Sequence, residues 1–343
     1  MEHKGQVTIK DIARELGIDP STVSKALKNH PDISEATRKK VNELARKLKY
    51  YPNPIALSLR SSKTKIIGLV IPEIVHHFFS SVISGIEDVA YDAGYNVMIY
   101  QSNESFNREV MACEALVSSR VEGILISYSK ETRNFDHLKR VINSGIPIVM
   151  YDRVCDDIHT DKVTVDDYEG AYNAVCHLAA TGCKRIAHLS GPPGLRIADL
   201  RKSGYLDALK DNNLEIDRDL IAYCDKFKQS LIRTKQLMNL PEPPDAIFTV
   251  NDLTAAGVMK SLSEMGLRVP GDVSLIGFSN NLMSRITTPT LTTVDQHGYQ
   301  LGQTAIQLLL DRLMNATSNR PFIHQVIKTD LIIRESTRTV KRV

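Results

Sequence analysis

The chain lacks a long apolar run. None of its 343 residues lies in a stretch approaching the roughly 18 apolar residues a membrane span requires, and the start, Met1-Glu2-His3-Lys4-Gly5, has no signal-peptide core. A cytoplasmic location with no membrane partner is expected. Cysteine is sparse: Cys113, Cys155, Cys176, Cys183 and Cys224 form an odd, scattered set with no C-x-x-C pair, which argues against a disulfide framework or a zinc site. Catalytic signatures are missing too. There is no G-x-x-x-x-G-K phosphate loop, no G-x-S-x-G elbow and no H-E-x-x-H metal helix, so neither an enzyme nor a cofactor or metal is expected. Gly191-Pro192-Pro193-Gly194 is only superficially a phosphate cradle, because its prolines remove the amide donors; it reads as a turn.

What is present is an ordinary composition for a folded chain of more than one domain, 42% hydrophobic and 24% charged. The net charge of +3 conceals a division. Residues 1–65 hold 14 Lys and Arg against 7 Asp and Glu, a surplus of seven, and the remainder holds 29 against 33, a deficit of four. A basic segment is either a solvated face or a surface for a polyanion, and local pattern has to decide.

In the basic segment Ile9, Ile12, Ala13 and Leu16 recur as one helix face, with Thr8 as N-cap, Asp11 three residues on as its capping-box partner, and Gly17 as a left-handed stop. Asp19 then caps a second helix with Pro20 at its first position and Val23, Ala26 and Leu27 on the apolar side. The other side carries Ser21, Thr22, Ser24, Lys25 and Lys28, small or basic residues suited to phosphates and base edges. A third helix from Ser34 buries Val41, Leu44, Ala45 and Leu48. The spacing predicts a helix-turn-helix unit over residues 1–50 with its second helix in the major groove. Asn53 and Pro54 start a further helix too short to stand alone, whose Ile55 and Leu59 need a partner chain or a DNA groove; it falls in a hinge and linker, 51–65.

Val7-Thr8-Ile9-Lys10-Asp11-Ile12-Ala13, Ser21-Thr22-Val23-Ser24-Lys25-Ala26-Leu27 and Tyr51-Pro52-Asn53 through Leu59 resemble the DNA-binding head and hinge of the LacI family of bacterial transcription regulators, and the similarity runs the length of the chain. The resemblance implies a dimer on a palindromic operator, controlled by a small molecule such as a sugar or sugar phosphate. It implies DNA contacts from Thr8, Pro20, Ser21, Thr22, Ser24, Lys25, Asn29 and Tyr50, and from Asn53, Ala56, Leu59 and Arg60 of the hinge, with Leu59 a minor-groove lever.

Residues 66–343 alternate apolar strands with helical segments: strand Ile66 to Ile71, helix Phe79 to Ala93, strands Val97 to Tyr100, Gly123 to Ser127 and Ile148 to Tyr151, then helix Tyr168 to Ala180, strand Ile186 to Ser190, and so on to strand Val273 to Phe278. The count predicts two doubly wound parallel-sheet halves, one over about 66–164 and 295–325, the other over about 165–294 and 326–343. Ligands in such sheets bind beyond the carboxyl ends of the strands, which directs attention to Pro72, Asp152, Asn251 and Ser279. The layout is similar to the periplasmic-binding-protein-like effector domain of the LacI family. That similarity implies an aromatic wall at Phe79, a ligand-gripping arginine at Arg201, a cleft asparagine at Asn251, and cleft-facing Asp152, Asp166 and Gln296. From the residues alone, Phe79 also reads as core, and the aspartates as helix caps. The chain departs from many sugar-binding members in carrying Ser279-Asn280 after Gly277-Phe278 where they carry an aspartate; Ser and Asn also suit a phosphate or carboxylate.

Overall fold

The computed structural model describes residues 7–50, 64–315 and 320–339. The chain divides into two compact units, Met1–Thr64 and Lys65–Val343, a head and a body.

The head is three helices: α1 (Ile9–Leu16), α2 (Pro20–Leu27) and α3 (Glu35–Lys47). Local chemistry marks their ends. The Thr8 N–H and hydroxyl both donate to Asp11 Oδ2, at 3.0 and 2.7 Å, and Gly17 takes φ +64° to close α1. Asp19 Oδ1 accepts from the Ser21 N–H at 2.7 Å, and the Ser34 hydroxyl accepts from the Thr37 N–H. Ile12, Ala13, Val23, Ala26, Val41 and Ala45 form the small core, with Leu48 and Tyr50 packed beside it.

The body holds two six-stranded sheets with matching order, β2-β1-β3-β4-β5-β11 and β7-β6-β8-β9-β10-β12. In the first half β1 (Ile66–Ile71), β2 (Asn96–Gln101), β3 (Gly123–Ile126), β4 (Ile148–Tyr151) and β5 (Asp161–Val165) alternate with α4 (His77–Asp92), α5 (Phe106–Ser118) and α6 (Asp136–Asn143). In the second, α7 (Asp167–Ala180), β6 (Ile186–Ser190), α8 (Arg196–Asp211), β7 (Ile221–Tyr223), α9 (Phe227–Met238), β8 (Ala246–Thr249), α10 (Asp252–Glu264), β9 (Ser274–Phe278) and the short α11 (Met283–Ile286) lead to β10 (Thr292–Asp295). The chain passes between the halves three times: after β5, after β10 into α12 (Gly298–Met314), and from β11 (His324–Ile327) to β12 (Asp330–Ile332). All pairings are parallel except β10 with β12.

Central strands such as β1 and β8 are buried on both faces, as continuous apolar runs demand. Helix α12 returns to cover the first sheet, burying Leu301, Ala305, Leu308 and Leu309 with Val82 and Ile86 of α4. Gly85 lies against the backbone of Tyr299, and Gly302 against that of Val82, so neither helix leaves room for a Cβ at the crossing. No helix among the described residues is long and apolar enough to cross a membrane.

Candidate functional site

On the head, helical spacing of about 100° per residue sets Ser21, Lys25 and Lys28 on one exposed face of α2, with Pro20 exposed at its start and Thr22 half-buried beside it. Ser24 differs from expectation. It is 8% exposed, because its position lies about 100° round from Lys25, on the side that packs inward. Thr8 and Asn29 are exposed and Tyr50 is half-buried; burial raises the Tyr50 hydroxyl above its ordinary pKa. Asn53, Ala56, Leu59 and Arg60 lie outside the described residues.

In the body a cavity of about 310 Å³ opens between the two halves. Each sheet has its switch of winding direction at its second and third strands in spatial order, β1 and β3 in one and β6 and β8 in the other, and loops beyond those strands line the cavity: Glu73, Val75 and His76 after β1, Lys130 after β3, Gly191 and Pro192 after β6, Val250 and Asn251 after β8. Glu104, Arg153, Leu195, Ala198, Arg201, Asp225 and Phe227 complete most of the wall. The Gly191–Gly194 segment is a proline-bearing turn, as its composition requires.

The charged groups here are engaged with one another. Arg201, 4% exposed on α8, donates from Nε to Asp167 Oδ1 at 2.8 Å and from Nη1 to the Val250 carbonyl at 2.6 Å, and its guanidinium lies 3.8 Å from the Phe278 ring centre. Arg153 forks onto Glu104 at 2.7 and 2.9 Å, and Glu104 also accepts from the Lys130 N–H. Burial pulls the Glu104 carboxyl up, but the Arg153 fork and Lys130 together outweigh it and hold the group below its ordinary value. Lys130 Nζ reaches Asp225 at 3.1 Å across the opening, and Arg196 of α8 reaches Asp156 at 2.9 Å, so two ion pairs join the halves. Glu109, fully buried, accepts from the Ser129 N–H, the Thr132 hydroxyl and His137, fixing the loop that carries Lys130.

Of the seven body residues predicted from sequence, the structure brings Arg201 and Asn251 to this cavity. Asn251 also caps α10, its Oδ1 accepting from the Thr254 N–H at 2.8 Å. Asp152 lies buried beside Arg153, accepting from the Ser127 hydroxyl; burial pushes its carboxyl up to about 6, against the pull of Arg153. Phe79 packs in the core beneath α12, and Asp166 caps α7 through the Glu169 N–H. The Ser279 hydroxyl donates to Gln296 Oε1 at 2.8 Å; Ser279 borders a separate recess lined by His77, Asn280, Arg285 and His297. Sequence reading missed Glu104, Lys130, Arg153 and Asp225. Each lies two to four residues beyond a strand: the strand-end rule applied to β2 and β3 leads to Glu104 and Lys130, whereas Arg153 stands one residue past Asp152, which that rule did select, and Asp225 follows β7, a strand the sequence reading did not include.

Residues 8–53 match the family model described as bacterial regulatory proteins, lacI family, and residues 175–337 match that of the periplasmic binding protein-like domain. The HTH-type transcriptional repressor CytR of Escherichia coli strain K12 is 32% identical over 97% of this chain and 97% of its own. This chain belongs to the LacI family. It is therefore a DNA-binding transcription regulator and not an enzyme. Among solved structures, the lac repressor dimer bound to operator and the anti-inducer ONPF superposes with a TM-score of 0.86 at 27% identity, covering 98% of this chain and all of that one. A LacI family regulator from Enterococcus faecium with bound ribose gives 0.71 at 26% identity, covering 80% of this chain and all of that one.

Proposed function

We propose that this LacI-family regulator acts in the cytoplasm as a homodimer on a palindromic DNA site, and that a neutral, hydroxyl-bearing small molecule in the cavity of the body sets its affinity for that site. The observation that carries the choice of ligand is the charge balance of the wall. Counting Asp167 behind Arg201, the carboxylates of Glu73, Glu104, Asp225 and Asp167 equal in number the cations Lys130, Arg153, Arg201 and Lys226, and three of those cations already hold a carboxylate. A phosphate or carboxylate would find only Lys226 without a carboxylate partner, and would sit among four carboxylates unless it displaced one of these pairs; hydroxyl groups can take the remaining donors and acceptors without separating charge. The ribose-bound family member supports this class. A ligand acts here only through unequal affinity for two arrangements of the halves, and the Lys130–Asp225 and Arg196–Asp156 pairs belong to the arrangement described. A second copy has apolar surface to cover: Tyr91 and Met111 in the first half and Leu282 and Ile286 in the second are 79%, 67%, 61% and 70% exposed.

Thermal unfolding with matched pairs of compounds, each sugar or nucleoside against its phosphate, tests the reading. A neutral member present at about 100 times its Kd should stabilise the chain by about 2.7 kcal/mol and change its retention on operator DNA. Stabilisation by the phosphorylated members alone would overturn it.

A further inference from the structure

Helix α2 ends in a way that turns the following segment back on it. Asn29 takes φ +55°, the His30 N–H donates to the Lys25 carbonyl at 3.0 Å, and the Ile33 N–H donates to the His30 carbonyl. The Asp32 N–H in turn donates to His30 Nδ1 at 3.3 Å. This fold-back carries the Asp32 carboxylate to 3.4 Å from the Lys25 ammonium, on the exposed face that holds Ser21 and Lys28. The side chains remain 47% exposed at Lys25 and 63% at Asp32, so the pair can meet another molecule intact. An acidic residue beside Lys25 on a face of a DNA-binding head is a liability for affinity alone.

We propose that Asp32 is a specificity-determining residue, one that prevents Lys25 from serving as a phosphate clamp and reserves it for base edges. The proposal rests on Lys25 lying at the DNA surface. An ammonium has three donors; Asp32 takes one and leaves two. A phosphate brought to those two carries a full negative charge toward the Asp32 carboxylate and is repelled, whereas guanine O6 and N7 are uncharged acceptors and are not. Asp32 thus costs affinity on every sequence in which Lys25 could reach only the backbone, and little on a site that offers it a base. The left-handed Asn29 is the device that places it.

The experiment uses the full-length protein and the duplex it selects from a random pool. Binding of wild type, Asp32→Asn, Lys25→Ala and the double variant is measured on the selected duplex and on a scrambled one across a salt series. For Asp32→Asn the affinity for scrambled DNA should rise several-fold, its logarithmic salt slope should steepen by about 0.9 as one more phosphate is neutralised, and the ratio of selected to scrambled affinity should fall. In the Lys25→Ala background the same substitution should leave that ratio unchanged. Equal gains of Asp32→Asn on both duplexes, or a fall in ratio that persists without Lys25, would overturn the proposal and make Asp32 a general surface charge. Failure of the underlying reading looks different: Lys25→Ala would then weaken both duplexes equally.

Discussion

The head and the body treat charge in opposite ways. On the exposed face of α2 the ionised side chains stand in solvent: Lys25 and Asp32 are about half exposed, and Lys28 shares the open face with them. In the body the charges near the cavity are folded inward, with the side chains of Arg201 and Asp167 5% and 1% exposed and those of Arg153 and Glu104 10% and 11%. Exposed charge costs little to keep and is available to a polyanion; buried charge is expensive to strand, so it is held in pairs and fixes geometry instead. The regulator thus has a surface built for capture and an interior built for shape.

The strongest way to break this contrast is to strand one of the buried partners. Arg201→Ala leaves the Asp167 carboxylate buried without its guanidinium and should cost about 3–5 kcal/mol in chemical denaturation; replacing Asp167 by Asn in the same chain should recover much of the loss. Lys25→Ala probes the other side of the comparison. It should cost about 1–3 kcal/mol on the selected duplex in a gel-shift titration while leaving the denaturation curve in place.

A third test sharpens the account of the interior through pH. Burial pushes the Asp252 carboxyl up to about 7 from an ordinary 3.8, against the pull of the Thr293 hydroxyl and the Asn281 N–H. The folded chain therefore keeps a proton that the unfolded chain has released between those values. Stability from this group is fully present below pH 3.8 and declines as pH rises to about 7. Asp252→Asn preserves the shape and should raise the urea midpoint at pH 8 but not at pH 4; equal gains at both would remove the titration from the explanation. The smallest effect is expected at Lys139, whose exposed pair with Asp136 belongs to the body but resembles the head. Lys139→Ala should leave the thermal midpoint unchanged, which would show that burial, and not the region, makes the difference.

Features with local causes were legible in the sequence. Thr8, Gly17, Asp19 and Ser34 announce the ends of the head helices because a cap acts within four residues, and Ile148–Tyr151 and Ile186–Ser190 announce strands because their apolar runs are buried on both faces. The strands β5, β7, β10, β11 and β12 were not read. His324 pairs with Lys162 and Asp330 with Asp295, partners far off in sequence, so nothing in their own neighbourhood marks them. The same limit applied at the cavity: Glu104 and Arg153, 49 residues apart, look like two unrelated surface charges until the strands set them side by side.

The threefold passage of the chain between the halves has a consequence for biosynthesis. Strand β11 completes the first sheet beside β5, which was made some 160 residues earlier, and β12 completes the second, so the first half lacks a strand until residue 327 has left the ribosome and the second until residue 332 has. The three helices of the head, by contrast, find all their core partners within the first 50 residues. Chains grow from the N-terminus at about 5–20 residues per second, so the head is ready to fold many seconds before either sheet can close. For that interval each nascent chain carries a finished head on an unfinished body, and the last strands to emerge are the ones that close the two sheets.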